Sequence, residues 1–182
     1  MNSYEDGDTI VLDVARFDHI WRESAMDFPP PQLWRWTIDT VTGRVREEQI
    51  DDRPAEFPRV ADSLIGLRHR YGYMMAMAAG DPGDPASQAG AILKYDRETG
   101  NRSEIELGRG RTCGEPVFAP AAGAKAEDDG YLMTYVYDAD TDLSELIIVD
   151  AKSMDNEPVA RVHLPRVPGG FHGSWIPASV VA

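Results

Sequence analysis

Alternating apolar and polar residues, interrupted every few positions by Gly, Asp or Pro, run through most of the chain, and this pattern predicts short β-strands. Residues 9–14, T-I-V-L-D-V, read as a strand after an Asp-Gly-Asp turn. Residues 15–32 read as an excursion loop, with a short helix in R-F-D-H-I-W-R-E-S-A-M (16–26) stopped by P-P-P. The next unit, W-R-W-T-I-D-T-V-T-G-R-V-R-E-E-Q-I (34–50), is two alternating runs around a Thr-Gly turn, the pattern of a β-hairpin.

That hairpin recurs. L-K-Y-D-R-E-T-G-N-R-S-E-I-E-L (93–107) repeats it, and Y-V-Y-D-A-D-T-D-L-S-E-L-I-I-V-D (135–150) repeats it with Thr141-Asp142 in place of Thr-Gly. The turn aspartates Asp39, Asp96 and Asp138 are spaced by roughly 40 to 60 residues, the period of a β-propeller blade. Further strands are expected at 70–77, 115–120 and 130–135. About three blades do not close a propeller, and a blade without a neighbour leaves a sheet face or edge uncovered. The pattern therefore points to an all-β fold and to a piece of something larger.

Composition supports this reading. Sixteen Gly and 13 Pro favour turns over long helices, and 182 residues suffice for one domain, taken here as a single partial domain over 1–182. The net charge of −13 argues against a nucleic-acid partner, whose phosphates are met by Lys and Arg, and against an anionic membrane surface. No run approaches eighteen apolar residues, so no membrane span is expected, and the acidic M-N-S-Y-E-D-G-D lacks the pattern of a signal peptide. A cytoplasmic protein is the expectation. Cys113 is the single cysteine, which excludes an intramolecular disulfide and a thiolate zinc cluster. A metal here would need His, Asp or Glu.

Four histidines are available. His19 lies among charges and reads as a surface residue; His69, between two arginines, reads as structural; His163 reads as hydrogen-bonded at a strand end. His172 follows a Pro-Gly-Gly turn and precedes a Trp-Ile pair, the best surroundings for a ligand, although an ordinary core or surface histidine fits there too. Glu56 and Glu115 each stand shortly before a proline in a strand-like run. They suit carboxylates that accept the free ring N–H of a metal-bound histidine, or else edge residues paired with an arginine such as Arg59. No serine sits on a glycine elbow beside a spaced His and Asp. The glycines of G-R-G-R-T-C-G (108–114) lack a phosphate-loop Lys-Ser/Thr, and E-D-D-G (127–130) reads as a solvated turn.

Six motifs in order carry a resemblance: N-S-Y-E-D-G-D (2–8), E-F-P-R (56–59), H-R-Y-G-Y (69–73), G-E-P-V-F (114–118), E-D-D-G-Y-L-M-T-Y-V-Y-D (127–138) and G-F-H-G-S-W-I-P (170–177). Together they resemble the carotenoid oxygenase family, which includes carotenoid and apocarotenoid cleavage enzymes, lignostilbene dioxygenases and the retinal pigment epithelium isomerase. The resemblance implies a seven-bladed β-propeller with an axial non-haem Fe(II) held by four histidines and supported by glutamates. It implies use of O₂ to cleave a conjugated C=C bond of an apolar carotenoid, apocarotenoid or stilbenoid. By the same resemblance His172 is the last metal ligand, Glu115 its carboxylate partner, and Glu56 the partner of the third ligand. That third histidine stands, in the family, just before the Asn-x-Tyr-Glu-Asp motif, which here begins at Asn2. The expectation is thus a C-terminal portion, about three blades, that binds iron weakly and is inactive by itself. Two other readings are a non-catalytic β-rich interaction module, self-associating through exposed blade edges, and one half of a split enzyme completed by a separate N-terminal half.

Overall fold

A computed structural model describes residues 1–20, 29–168 and 172–178. Among these, thirteen strands form three antiparallel four-stranded meanders and one short linking strand. The first blade is β1 (Asn2–Asp6), β2 (Thr9–Arg16), β3 (Gln32–Asp39) and β4 (Val45–Gln49). The second is β5 (Ala55–Arg59), β6 (Tyr71–Ala79), β7 (Ala89–Asp96) and β8 (Arg102–Arg109). The link is β9 (Arg111–Cys113). The third blade is β10 (Val117–Pro120), β11 (Gly130–Asp138), β12 (Leu143–Asp150) and β13 (Ala160–Leu164). This is an all-β fold of about three propeller blades, and the sheets do not close into a ring.

The recurrent turn has a common chemistry. Asp39 Oδ1 accepts from the N–H groups of Val41 and Thr42, Asp96 Oδ1 from Glu98 and Thr99, and Asp138 Oδ1 from Asp140 and Thr141. Each carboxylate closes its own turn, as short polar side chains do. At the residue directly after these amides the chain passes through the left-handed region, which Gly43 and Gly100 enter at φ 70° and 74° without a Cβ penalty. The third hairpin puts Asp142 there at φ 54°. Asp150 makes the same turn with Lys152 and Ser153, a fourth instance that the hairpin pattern does not reveal.

The second blade is covered on both faces, so β6 and β7 are apolar almost throughout rather than alternating. Met74, Ala76, Ala91, Leu93 and Tyr95 join Leu33 and Ala55 in one core cluster. Tyr73 and Ile92 turn the other way, to a second cluster with Ile105, Phe118, Leu132, Val136, Ile147 and Val149 of the neighbouring elements. Strand β11 of the third blade alternates: Leu132, Thr134 and Val136 are buried on one face, whereas Tyr131 and Tyr135 on the other are exposed. Strand β4 is exposed along its length, and its V-R-E-E-Q sequence places charges on a sheet edge, where they disfavour pairing with another chain.

One expectation needs correction, and two stretches prove to hold strands. The E-D-D-G stretch is a junction rather than a solvated turn. Glu127 accepts from the backbone N–H of Arg70 and Tyr71, and Asp128 forms a buried ion pair with Lys94 at 2.7 Å. Lys94 Nζ also donates to Ala151 O, so buried charge meets buried charge and carbonyl across the second and third blades. The G-R-G-R-T-C-G glycine run contains β9, which pairs parallel to β7 through Ala89 and Arg111 and antiparallel to β11. Gly90 makes this crossing feasible, since a Cβ there would lie 3.1 Å from Thr112 Cα. The N-S-Y-E-D stretch is itself a strand, β1, hairpinned to β2. The excursion loop begins after β2 ends at Arg16; residues 17–20 form no regular element, and the expected helix over 16–26 falls largely on 21–28, outside the described residues.

Candidate metal centre

Strand β5 starts the site by breaking its own alternation. Ala55 and Glu56 pair with Ala76 and Met75, Arg59 pairs with Tyr73, and the register shifts between them. Pro58 has no N–H to give to a ladder, and Phe57 sits in the left-handed region at φ 51°, uncommon for a bulky residue. Such an irregularity re-aims side chains that a regular strand would send to opposite faces. Here it turns Glu56, Phe57 and Arg59 toward the segment after Pro168. The Phe57 ring meets the His172 ring edge-on at 5.5 Å between centroids. Arg59 Nη1 donates to Gly173 O at 3.0 Å and to Glu115 Oε2 at 3.2 Å, while Nη2 donates to Asp62 Oδ1 at 2.9 Å.

Glu115 comes from the connection between β9 and β10. Its backbone is set by Gly114, which donates to Tyr135 O and accepts from the Thr134 hydroxyl. The Glu115 side chain is only 4% exposed. Oε1 lies 3.2 Å from His172 Nδ1, and Oε2 accepts from Gly173 N at 2.8 Å. With Oε2 also held by Arg59, the carboxylate is the acceptor and Nδ1 the donor. This leaves Nε2 with a lone pair, on a side chain that is 73% exposed. Glu56 lies on the same side. Burial pushes its carboxyl up from the usual range, and the His172 ring beside it pulls the other way.

Phe57, Glu115 and His172 border a cavity of about 770 Å³ whose walls also include Met75, Met133 and Trp175. Large apolar side chains with a few converging polar groups are the usual make-up of a small-molecule site.

The three expected site residues thus come together: Glu115 on His172 by direct contact, Glu56 by proximity. Of the two glutamates for which Arg59 is a possible partner, it binds Glu115. The other histidines stay apart. His69 is fully buried, with Nδ1 at 3.1 Å from Asn2 Nδ2 and Nε2 at 3.4 Å from Asp13 Oδ2. Its neighbours point elsewhere, Arg68 to Asp6 and Arg70 to Asp96. His163 is exposed on β13, and His19 is half-buried rather than at the surface. Cys113 donates to Ala91 O, and burial pushes its thiol up to about 12. Among the described residues no three His, Cys, Asp or Glu side chains are placed to hold a metal. The donor set fits one corner of a histidine-held ion: a ring oriented through Nδ1 by a buried carboxylate, as metal-bound histidines are, with Nε2 left for the bond. Phe57 and Arg59 were not singled out as site residues from sequence, although the proline after Phe57 in a strand-like run marks the irregularity that delivers both.

Residues 1–177 match the family described as retinal pigment epithelial membrane protein. A carotenoid cleavage oxygenase of Mycobacterium tuberculosis is 38% identical over 98% of this chain and 37% of its own length. The apocarotenoid-15,15'-oxygenase of Synechocystis is 35% identical over 96% of this chain and 37% of its own. The crystal structure of cobalt-substituted Synechocystis ACO superposes with a TM-score of 0.85 at 34% identity, covering 96% of this chain and 38% of that one. This chain therefore spans little more than a third of the length of these relatives. It belongs to the carotenoid oxygenase family.

Proposed function

We propose that these three blades form part of a non-haem Fe(II) oxygenase that uses O₂ to cleave a conjugated C=C bond of a carotenoid or apocarotenoid, with His172 as one of the metal ligands. The observation that carries this is the His172–Glu115 contact, which leaves Nε2 at the edge of an apolar cavity, in a chain whose relatives are named as cleavage oxygenases. Bound iron would supply the activation of O₂ that oxidative cleavage requires. The chain's own residues bind and orient. Glu115 fixes the tautomer and direction of the His172 ring, and Glu56, near enough to that ring to feel its charge, suits the neighbouring ligand position. Phe57, Met133 and Trp175 offer walls against which a conjugated chain gains about 25 cal/mol per Å² of apolar surface removed from water. A stilbenoid would be bound by the same principle.

One histidine and two carboxylates hold iron far less well than four histidines do, so this chain alone is expected to bind Fe(II) weakly and to turn over no substrate. Activity belongs to an assembly that also contains the remaining ligands, whether in the same polypeptide or in a separate half. The relatives lend no support to a non-catalytic interaction module. Among the described residues no helix is long and apolar enough to cross a membrane; a cytoplasmic location and the absence of a nucleic-acid partner belong to this reading, supported by the net charge of −13.

Anaerobic titration of Fe(II) into the chain, followed by nuclear magnetic resonance, tests the ligand assignment. The paramagnetic ion is expected to broaden the His172 ring signals before those of His19, His69 and His163. Glu115→Gln should weaken that effect by about 10- to 100-fold, and His172→Ala should remove it. Broadening of another histidine first, or of all four alike, would sink the assignment.

A further inference from the structure

The segment that carries His172 has no regular secondary structure from residue 172 to 177, and its histidine side chain is mostly exposed. Packing of the segment itself therefore does not fix the ring. Phe57 packs against it edge-on, but the ring nitrogens are aimed by Glu115, and Glu115 is a buried anion that must be held in turn.

We infer that Arg59 is a positioning residue: its single guanidinium grips the Glu115 carboxylate and the Gly173 carbonyl together, and so locks the His172 ring, its carboxylate and the strand β5 into one unit. The inference deepens the reading of His172 as a metal ligand and concerns how that ligand is aimed. Four contacts close the unit. Arg59 Nη1 donates to both Glu115 Oε2 and Gly173 O, Gly173 N donates to the same Oε2, and the other carboxylate oxygen faces His172 Nδ1. Gly173, the residue after His172, is thus held through its N–H by Glu115 and through its carbonyl by Arg59. Asp62 anchors the far side of the guanidinium through Nη2. Arginine suits this task because its rigid planar fork presents donors to several partners at once, whereas lysine offers a point charge on a flexible stem. The bulge at Phe57-Pro58 explains how the residue reaches this place: it turns Arg59 toward the loop while β5 stays paired to β6.

The test reads the ring tautomer of His172 in the metal-free chain, by ¹⁵N chemical shifts at a pH above the usual histidine range. In the native chain the proton is expected on Nδ1. In Arg59→Met the signals should move to the mixture shown by free imidazole, with protection of the Gly173 amide from exchange lost. Arg59→Lys, which keeps the charge but not the fork, should fall between the two. Asp62→Asn, which loosens Arg59 without removing it, should give a smaller shift in the same direction. Amide signals of β11 and β12 report whether each variant is folded. An unchanged tautomer in folded Arg59→Met overturns the inference; if that variant does not fold, an unchanged tautomer in both Arg59→Lys and Asp62→Asn does so. Because no metal is added, failure of His172 to bind iron would leave this result standing, and failure of this result would leave the Fe(II) titration to be read by itself.

Discussion

Two regions of the molecule place an imidazole against a carboxylate, to opposite ends. At the junction of the first and second blades, His69 is sealed between Asn2 and Asp13, and the same Asp13 takes a two-pronged bond from Arg35 and lies 3.5 Å from Arg97. Both ring nitrogens face protein groups, and neither is accessible. At the rim of the cavity the order is reversed, with Glu115 buried and the ring of His172 exposed. One carboxylate finishes a structural network; the other readies a ring for something outside it. The difference teaches that proximity to an acid does not mark a ligand histidine. The mark is a second nitrogen left open.

Changes at the first region should be felt as stability. Asp13→Ala would leave Arg35, Arg97 and His69 without their shared anion, and removing one partner from a buried charge cluster typically costs about 3–5 kcal/mol; chemical denaturation measures it. If the loss were under about 1 kcal/mol, the cluster would not be a structural device and the contrast would fail.

Acid sharpens the same point. Burial alone would raise the Asp13 carboxyl, but the His69 ring 3.4 Å away, the two-pronged bond from Arg35 and the charge of Arg97 hold it well below the usual carboxylate range. A folded value below the unfolded one means that the unfolded chain takes up the proton first. The contribution of Asp13 is therefore fully present above about pH 4 and is lost as pH falls through its folded value. Asp13→Asn should flatten that part of the acid limb of stability, read as the difference from the native chain.

His69→Ala, which empties a buried site and leaves Asn2 and Asp13 each short of a partner, should cost about 2–3 kcal/mol. The smallest effect is expected at the second region: His172→Ala should change stability by no more than about 0.5 kcal/mol, as for an exposed side chain, while it removes the metal response. A large stability loss there would mean that His172 is structural after all, and the two regions would be alike.

Much of the architecture is legible because it is local. Asp39, Asp96 and Asp138 close their turns with amides two and three residues on, so the hairpins they define can be read from short windows. The pairing of Glu115 with His172 spans 57 residues and came from motif resemblance, since no periodicity connects them. What the sequence left unread shares one cause, which is that the partner is distant. Asp128 looks like a solvated acid until Lys94, 34 residues earlier, is brought beside it. Arg59 can be read as a mate of either glutamate, and only the fold selects Glu115, 56 residues away. Strand β9 is invisible in a glycine-rich run because its pairing depends on Gly90 leaving room in another strand.

That short strand has a mechanical consequence. Because β9 bonds to β7 on one side and β11 on the other, the second and third blades share a continuous nine-stranded sheet, while the first blade keeps its own four strands among the described residues. Pulling the chain from its two ends should therefore meet resistance in two unequal steps: the first blade peels away early, and the other two yield together only when the shared strand is sheared.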